Sequence, residues 1–109
     1  MGITKTEGFS EEINRMAEMI KAIGHPARLS ILQYLASSPS CICNDIVDQL
    51  PLAQPTISRH LSELKKVGLI KGSFEGKNIC YCIDNEVWKE LEGLVLQITE
   101  QLNRQQGCC

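Results

Sequence analysis

Residues 54–72, QPTISRHLSELKKVGLIKG, decide how the rest of the 109-residue chain is read. Apolar Ile57, Leu61 and Leu64 recur at helical spacing, and Val67 carries the stripe to Gly68, which suits a left-handed helix cap. Pro55 fits a first helical turn, where a missing N–H costs nothing. At about 100° per residue, Thr56, Ser58, Arg59, Ser62 and Lys66 fall on the arc opposite Ile57 and Leu64. That arc is small, hydroxylated and basic, so the helix can enter a DNA major groove without steric conflict. Leu69-Ile70 then opens a short strand, Glu75-Gly76-Lys77-Asn78 supplies a turn, and Ile79–Ile83 returns. A helix running straight into a β-hairpin reads as a recognition helix followed by a wing. The plainer alternative is an ordinary amphipathic surface helix.

Upstream, Ser10 is placed to cap a helix whose first turn carries Glu11 and Glu12, the end that favours negative charge. Ile13, Met16, Ala17, Ile20 and Ile23 form its apolar stripe, and Gly24 stops it. His25-Pro26 starts a second helix with Leu29, Leu32 and Leu35 facing inward and Ile31 beside them. Residues 37–40, SSPS, form a loop, and a short third helix over Asn44–Leu50 buries Ile46, Val47 and Leu50. Pro51-Leu52-Ala53 connects it tightly to the recognition helix, giving a helix-turn-helix. Downstream, Asp84 caps a long final helix on which Trp88, Leu91, Val95, Ile98 and Leu102 step by 3, 4, 3, 4 like a coiled-coil seam. Leu94 and Leu96 widen the seam beyond what one small domain needs to cover. The first and last helices are therefore expected to form a homodimer interface; the alternative is that both wrap only their own core. The expected architecture is mainly α with a small β-hairpin wing, in one domain spanning residues 1–109.

A chain of this length can bury about two-thirds of its unfolded surface. Its formal charge is −2, but residues 54–77 carry Arg59, Lys65, Lys66, Lys71 and Lys77 against Glu63 and Glu75, a local +3 that leaves −5 elsewhere. A basic patch on an acidic body supports phosphate contacts while limiting non-specific DNA binding. The N-terminus has no apolar leader, and no run approaches a membrane span, so a cytoplasmic location without membrane contact is expected.

These elements together resemble the ArsR/SmtB family of metal-responsive repressors. The match rests on GHPARLSIL at 24–32, SCICNDIVDQLPLAQPTISRHLSELKKVGLI, and the wing FEGKNICYCID, which cover roughly residues 10–100 in the expected order. The resemblance implies a winged-helix homodimer, α1-α2-α3-α4-β-β-α5 with room for one short extra strand. It also implies a protein that represses an operon on double-stranded operator DNA until an inducer binds. Gln54, Thr56, Ser58, Arg59, Ser62, Lys66, Lys71, Lys77 and Asn78 are the expected DNA-contacting residues. Two departures stand out. Ala53 occupies the position where family members often carry a capping Ser, and losing a cap costs of order 1 kcal/mol. No histidine lies between Asp84 and Arg104, so the zinc site that relatives build on the last helix is set aside.

Six cysteines fall in three close pairs, Cys41-Ile-Cys43, Cys80-Tyr-Cys82 and Cys108-Cys109. Without an export signal, reduced thiols are expected, and the pattern points to soft-metal or redox chemistry. Cys41 and Cys43 fall where arsenic- and cadmium-sensing relatives carry a Cys-x-Cys. Two residues apart on a regular helix point about 200° from each other, so they converge only if Cys41 lies in the loop or a frayed first turn. The arsenic-type motif would place a third sulfur near Ile46, which cannot ligate. Cys108 and Cys109, on the Gln105-Gln106-Gly107 tether, are the expected remaining donors, so the metal set is Cys41, Cys43, Cys108 and Cys109. Cys80 and Cys82 share one strand face opposite Ile79, Tyr81 and Ile83, and are expected to face solvent. Three thiolates suit As(III) or Sb(III), the expected inducer; four would suit Cd(II), Pb(II) or Zn(II), and a thiol-redox or persulfide sensor is the other alternative. No cofactor is needed for DNA binding on this reading. His25 is expected to cap its helix, and His60 to pack or hydrogen-bond. With no Cys-x-x-Cys and no phosphate-cradling loop, an enzyme is not expected.

Overall fold

Among the described residues, three of the five helices begin where the sequence supplies a capping side chain. A computed structural model describes residues 8–38, 41–42, 46–76 and 78–105. The elements run α1 Glu11–Ile23, α2 Pro26–Ala36, α3 Ile46–Gln49, α4 Gln54–Lys66, β1 Ile70–Glu75, β2 Asn78–Ile83 and α5 Asn85–Arg104. The Ser10 side chain accepts the Ile13 N–H at 3.1 Å, His25 Nδ1 accepts the Ala27 N–H at 3.0 Å, and Asp84 accepts the N–H groups of Glu86 and Val87. β1 and β2 form an antiparallel hairpin in the register Ile70↔Ile83 to Glu75↔Asn78, turning at Gly76, whose φ of 64° favours glycine.

The core lies between α1, α2, α4 and the base of the hairpin. Met16, Met19, Ile31, Leu32, Leu35, Ile46, Ile57, Leu61, Leu64, Leu69 and Ile70 fill it, and Leu91 adds the start of α5. Ile46 is buried in α3 as expected and Leu50 packs against the cluster, while Asn44, at the expected start of that helix, lies outside the described residues.

The single chain divides two stripes that the sequence reads as continuous. On α1, Met16, Met19 and Ala22 are buried, whereas Ile13, Ala17 and Ile20 are exposed. On α5, Leu91 is 6% exposed, but Val95, Ile98 and Leu102 are all at least half exposed and Trp88 is more than a third exposed. One chain has only enough core to cover one arc of each helix. Leu29 is likewise about half exposed, because α2 turns Ile31 inward with Leu32 and Leu35. An Arg15–Glu90 ion pair joins α1 to α5 on the surface.

One polar network crosses the core. Arg28 Nε donates to His60 Nδ1 at 3.1 Å, Arg28 Nη1 donates to the Ala22 carbonyl at 3.1 Å, and the His25 ring lies 4.5 Å from that of His60. His60 is therefore the packed, hydrogen-bonded residue expected, and its partner comes from α2. Burial, reinforced by the charges of His25, Arg28 and Arg59, holds the His60 pKa below its ordinary value of 6.5. Its Nδ1 must stay unprotonated to accept from Arg28. As pH falls below 6.5 the unfolded chain binds this proton before the folded one does, so stability is lost as pH falls through that window. The unfolding midpoint should therefore drop between about pH 7 and pH 5, and more in the native protein than in His60→Gln. Thermal unfolding across that range measures the difference, and parallel profiles would show that His60 makes no contribution.

Candidate DNA-reading surface and sulfur site

The recognition helix is fixed at its ends mainly by backbone. Ala53 provides no side-chain cap, as expected, and its carbonyl instead accepts the N–H groups of Thr56 and Ile57 at 3.0 Å. At the far end the Gly68 N–H donates to Lys65 O and the Leu69 N–H to Leu64 O, with Gly68 at φ 85°. This pair of bonds is a Schellman stop, and it turns the chain directly into β1. The Asp84 N–H donates to Leu69 O at 2.9 Å, closing the base of the wing beneath the helix end.

Burial of Ile57, His60, Leu61 and Leu64 turns the opposite arc outward. Gln54, Ser58, Arg59, Ser62 and Lys66 are exposed and Thr56 is half-buried, with Lys66 paired to Glu63 at 3.6 Å. Lys71 and Asn78 are exposed on the wing, while Lys77 lies outside the described residues. Phe74 is 79% exposed opposite Ile79, a solvent-facing apolar pair that the sequence reading missed. Alternation from buried Ile70 puts Phe74 and Ile79 on the core-side face, so their exposure reflects distance beyond the hairpin base, which no local period signals.

The cysteines are arranged differently from expectation. Ile42 and Tyr81 exchange both backbone hydrogen bonds, at 2.9 and 2.8 Å, so the segment before α3 pairs antiparallel with the free edge of β2. In such a ladder the positions flanking a doubly bonded pair approach most closely. Cys41 and Cys82 occupy one such position, with Cα atoms 4.6 Å apart, and are joined by a disulfide. Cys80 is 1% exposed and also disulfide-bonded, and since Cys82 is taken by Cys41, the two wing cysteines are not bonded to each other. This corrects two expectations: that these three cysteines are reduced, and that Cys80 faces solvent. The reason is the added pairing at the edge of β2, which sets Cys41 directly beside Cys82 on the same face of the enlarged sheet. Tyr81 and Ile83 still reach the core near the hairpin base, but Ile79, farther out, is exposed. Cys43, Cys108 and Cys109 lie outside the described residues. Among the described residues, no group of three or more His, Cys, Asp or Glu side chains could hold a metal ion.

A short helix, a tight turn, an outward-facing basic helix and a hairpin define a winged helix-turn-helix DNA-binding protein. Residues 25–71 match the family model described as bacterial regulatory protein, arsR family. An uncharacterised HTH-type transcriptional regulator of Methanocaldococcus jannaschii is 47% identical over 87 residues, 78% of this chain and 96% of that protein. The HTH-type transcriptional regulator YgaV of Escherichia coli is 30% identical over 84 residues, 77% of this chain and 85% of YgaV. The crystal structure of an ArsR family transcriptional regulator superposes with a TM-score of 0.71 at 18% identity, covering 86% of this chain and 96% of that one. The chain belongs to the ArsR family of DNA-binding transcriptional regulators. Among the described residues no helix is long and apolar enough to cross a membrane.

Arg59 is the exposed cation at the centre of the outer arc. Arg59→Ala should weaken operator binding by about tenfold or more while leaving the fold intact. Titration of labelled operator DNA, with circular dichroism as the folding control, measures this; unchanged affinity would show that another face of α4 reads DNA.

Proposed function

We propose that the protein is a homodimeric repressor that leaves its operator when a thiophilic inducer, As(III) or Sb(III), binds cysteine thiolates. The observation that carries this reading is the meeting of Cys41, at the entry to the helix-turn-helix, with Cys82, on the wing. A ligand bridging those sulfurs acts on both DNA-facing units together. Soft trivalent metalloids favour sulfur donors, and once the disulfides are reduced the sequence offers further cysteines, Cys43, Cys108 and Cys109, for a third bond. Relatives include the arsenical resistance operon repressor of Staphylococcus xylosus, 28% identical over 71 residues. They also include a cadmium resistance regulatory protein CadC homolog of Staphylococcus aureus, 32% identical over 77 residues. The inducer is therefore argued from ligand chemistry.

The mechanism is linkage. If the inducer binds the low-affinity conformation better, the free energy that favours inducer binding weakens operator binding equally. Dimerisation uses the faces that one chain leaves open, Ile13 and Ile20 on α1 and Val95, Leu96, Ile98 and Leu102 on α5. DNA contact comes from Gln54, Thr56, Ser58, Arg59, Ser62 and Lys66 on the helix and Lys71, Lys77 and Asn78 on the wing. A second reading, a thiol-redox or persulfide sensor, is favoured by the Cys41–Cys82 disulfide.

Reduced protein on operator DNA should be released by As(III) at lower concentrations than by Cd(II), Zn(II) or a persulfide donor. Cys41→Ser should abolish that release without changing operator affinity. Release by the persulfide donor alone would establish the second reading in place of the first. Separately, Ile98→Glu with Leu102→Glu should give a folded monomer, because each charge would be buried unpaired at the seam. Sedimentation measures it, and an intact dimer would place the interface elsewhere.

A further inference from the structure

A groove of about 490 Å³ opens on the Cys41–Cys82 pair. Leu29, Leu32 and Gln33 of α2 form one side, and Ile83 and Trp88 the other, with both cysteines in the wall. This volume falls in the range of small-molecule sites. No charged side chain is among the described residues that line it, and its polar members, Gln33, Ser38 and Asn85, are neutral. Leu29 and Trp88 line it while remaining substantially exposed. Cys80 is not among the described lining residues, so two sulfurs face a space whose described walls are uncharged and largely apolar.

We propose that this groove is a binding site for a trivalent organo-metalloid, an arsenical or antimonial carrying one apolar substituent. A three-bonded arsenic centre held by two thiolates needs one further bond. Among the described residues the wall beside the sulfurs is mostly apolar, with Leu29, Leu32, Ile83 and Trp88 outweighing three neutral polar side chains, which suits an organic group better than a charged third thiolate or a hydroxide. The Leu29–Leu32–Trp88 wall holds the substituent while Cys41 and Cys82 hold the metalloid.

The disulfide must first be reduced. A dithiol donates two electrons and two protons, the Cys41–Cys82 bond breaks to give two thiols, and the dithiol closes to its own disulfide. The arsenical, R–As=O, then reacts with both thiols. Two As–S bonds form, the As=O bond breaks, and the two thiol protons leave with the oxygen as water. Arsenic stays trivalent throughout. The proposal rests on the thiophilic-inducer reading for its effect on DNA, but binding itself is measurable without DNA.

The test uses the full chain, reduced with a phosphine that is then removed. Phenylarsine oxide and inorganic arsenite are titrated while the emission of Trp88, the only tryptophan, is followed. Phenylarsine oxide should change that emission with one equivalent per chain, at a half-saturating concentration at least about tenfold below that of arsenite, because the ring is buried against the groove wall. Cys82→Ser should raise that concentration at least about tenfold, since one of two As–S bonds is lost. Cys108→Ser with Cys109→Ser should leave it unchanged. Peptide mapping of the native protein after treatment should find the arsenical bridging Cys41 and Cys82, which keeps the test valid if Cys82→Ser fails to fold. Equal response to arsenite, an unaffected Cys82→Ser variant or an adduct on other cysteines would overturn the proposal. If the Trp88 titration behaves as expected but the operator is never bound or released, the repressor reading alone falls.

Discussion

The backbone exchange between Ile42 and Tyr81 is the constraint on which the functional arrangement depends. It is one isolated bridge, yet it sets the chain entering the helix-turn-helix against the wing. Two elements that would otherwise meet only through α4 thus share a second junction. Cys41 and Cys82 lie at the close position beside that bridge, so the sulfur chemistry follows from the ladder geometry. The junction is connected to the recognition helix through β2, Asp84 and the Leu69 carbonyl, which sits one residue past the glycine stop of α4. A change in the bond between the sulfurs therefore has a short covalent and hydrogen-bonded route to the DNA-reading surface.

The other end of the recognition helix is held differently. Ala53 supplies no capping side chain, so positioning falls to buried Ile57, Leu61 and Leu64 and to the Arg28–His60 bond across to α2. Arg28 also ties back to the last turn of α1 through the Ala22 carbonyl. One guanidinium thus links the first two helices to the reading helix. The same site carries the proton sensitivity of the fold, because its geometry requires an unprotonated His60 nitrogen.

Much of this was legible in the sequence. Ser10, His25 and Asp84 act as caps, Gly68 stops α4, and the outer arc of α4 faces outward, because local backbone chemistry and helical periodicity decide those features. Long-range pairing was not legible. Alternation along β2 placed Cys80 and Cys82 towards solvent because it assumed a two-stranded wing with one free face. The Ile42–Tyr81 pairing adds a neighbour at the edge of β2 and puts Cys41 beside Cys82, and no local period signals it. Arg28 was missed for a related reason: its partner lies 32 residues away. On α5 the apolar stripe was read as wider than one small domain covers, and on α1 the expected stripe omitted Met19 and Ala22, which are buried; the division between core-facing and open arcs required the packed structure.

Both readings of the proposed function require that whatever bridges Cys41 and Cys82, an inducer or a direct bond, weakens the affinity for DNA. The most direct test compares operator dissociation constants for one preparation in its disulfide form and after complete reduction, at a single salt concentration. Cross-linking the sulfurs is expected to favour the released conformation, so the disulfide form should bind at least about tenfold more weakly, within the usual range of allosteric coupling. Equal affinities, or tighter binding by the disulfide form, would contradict the account.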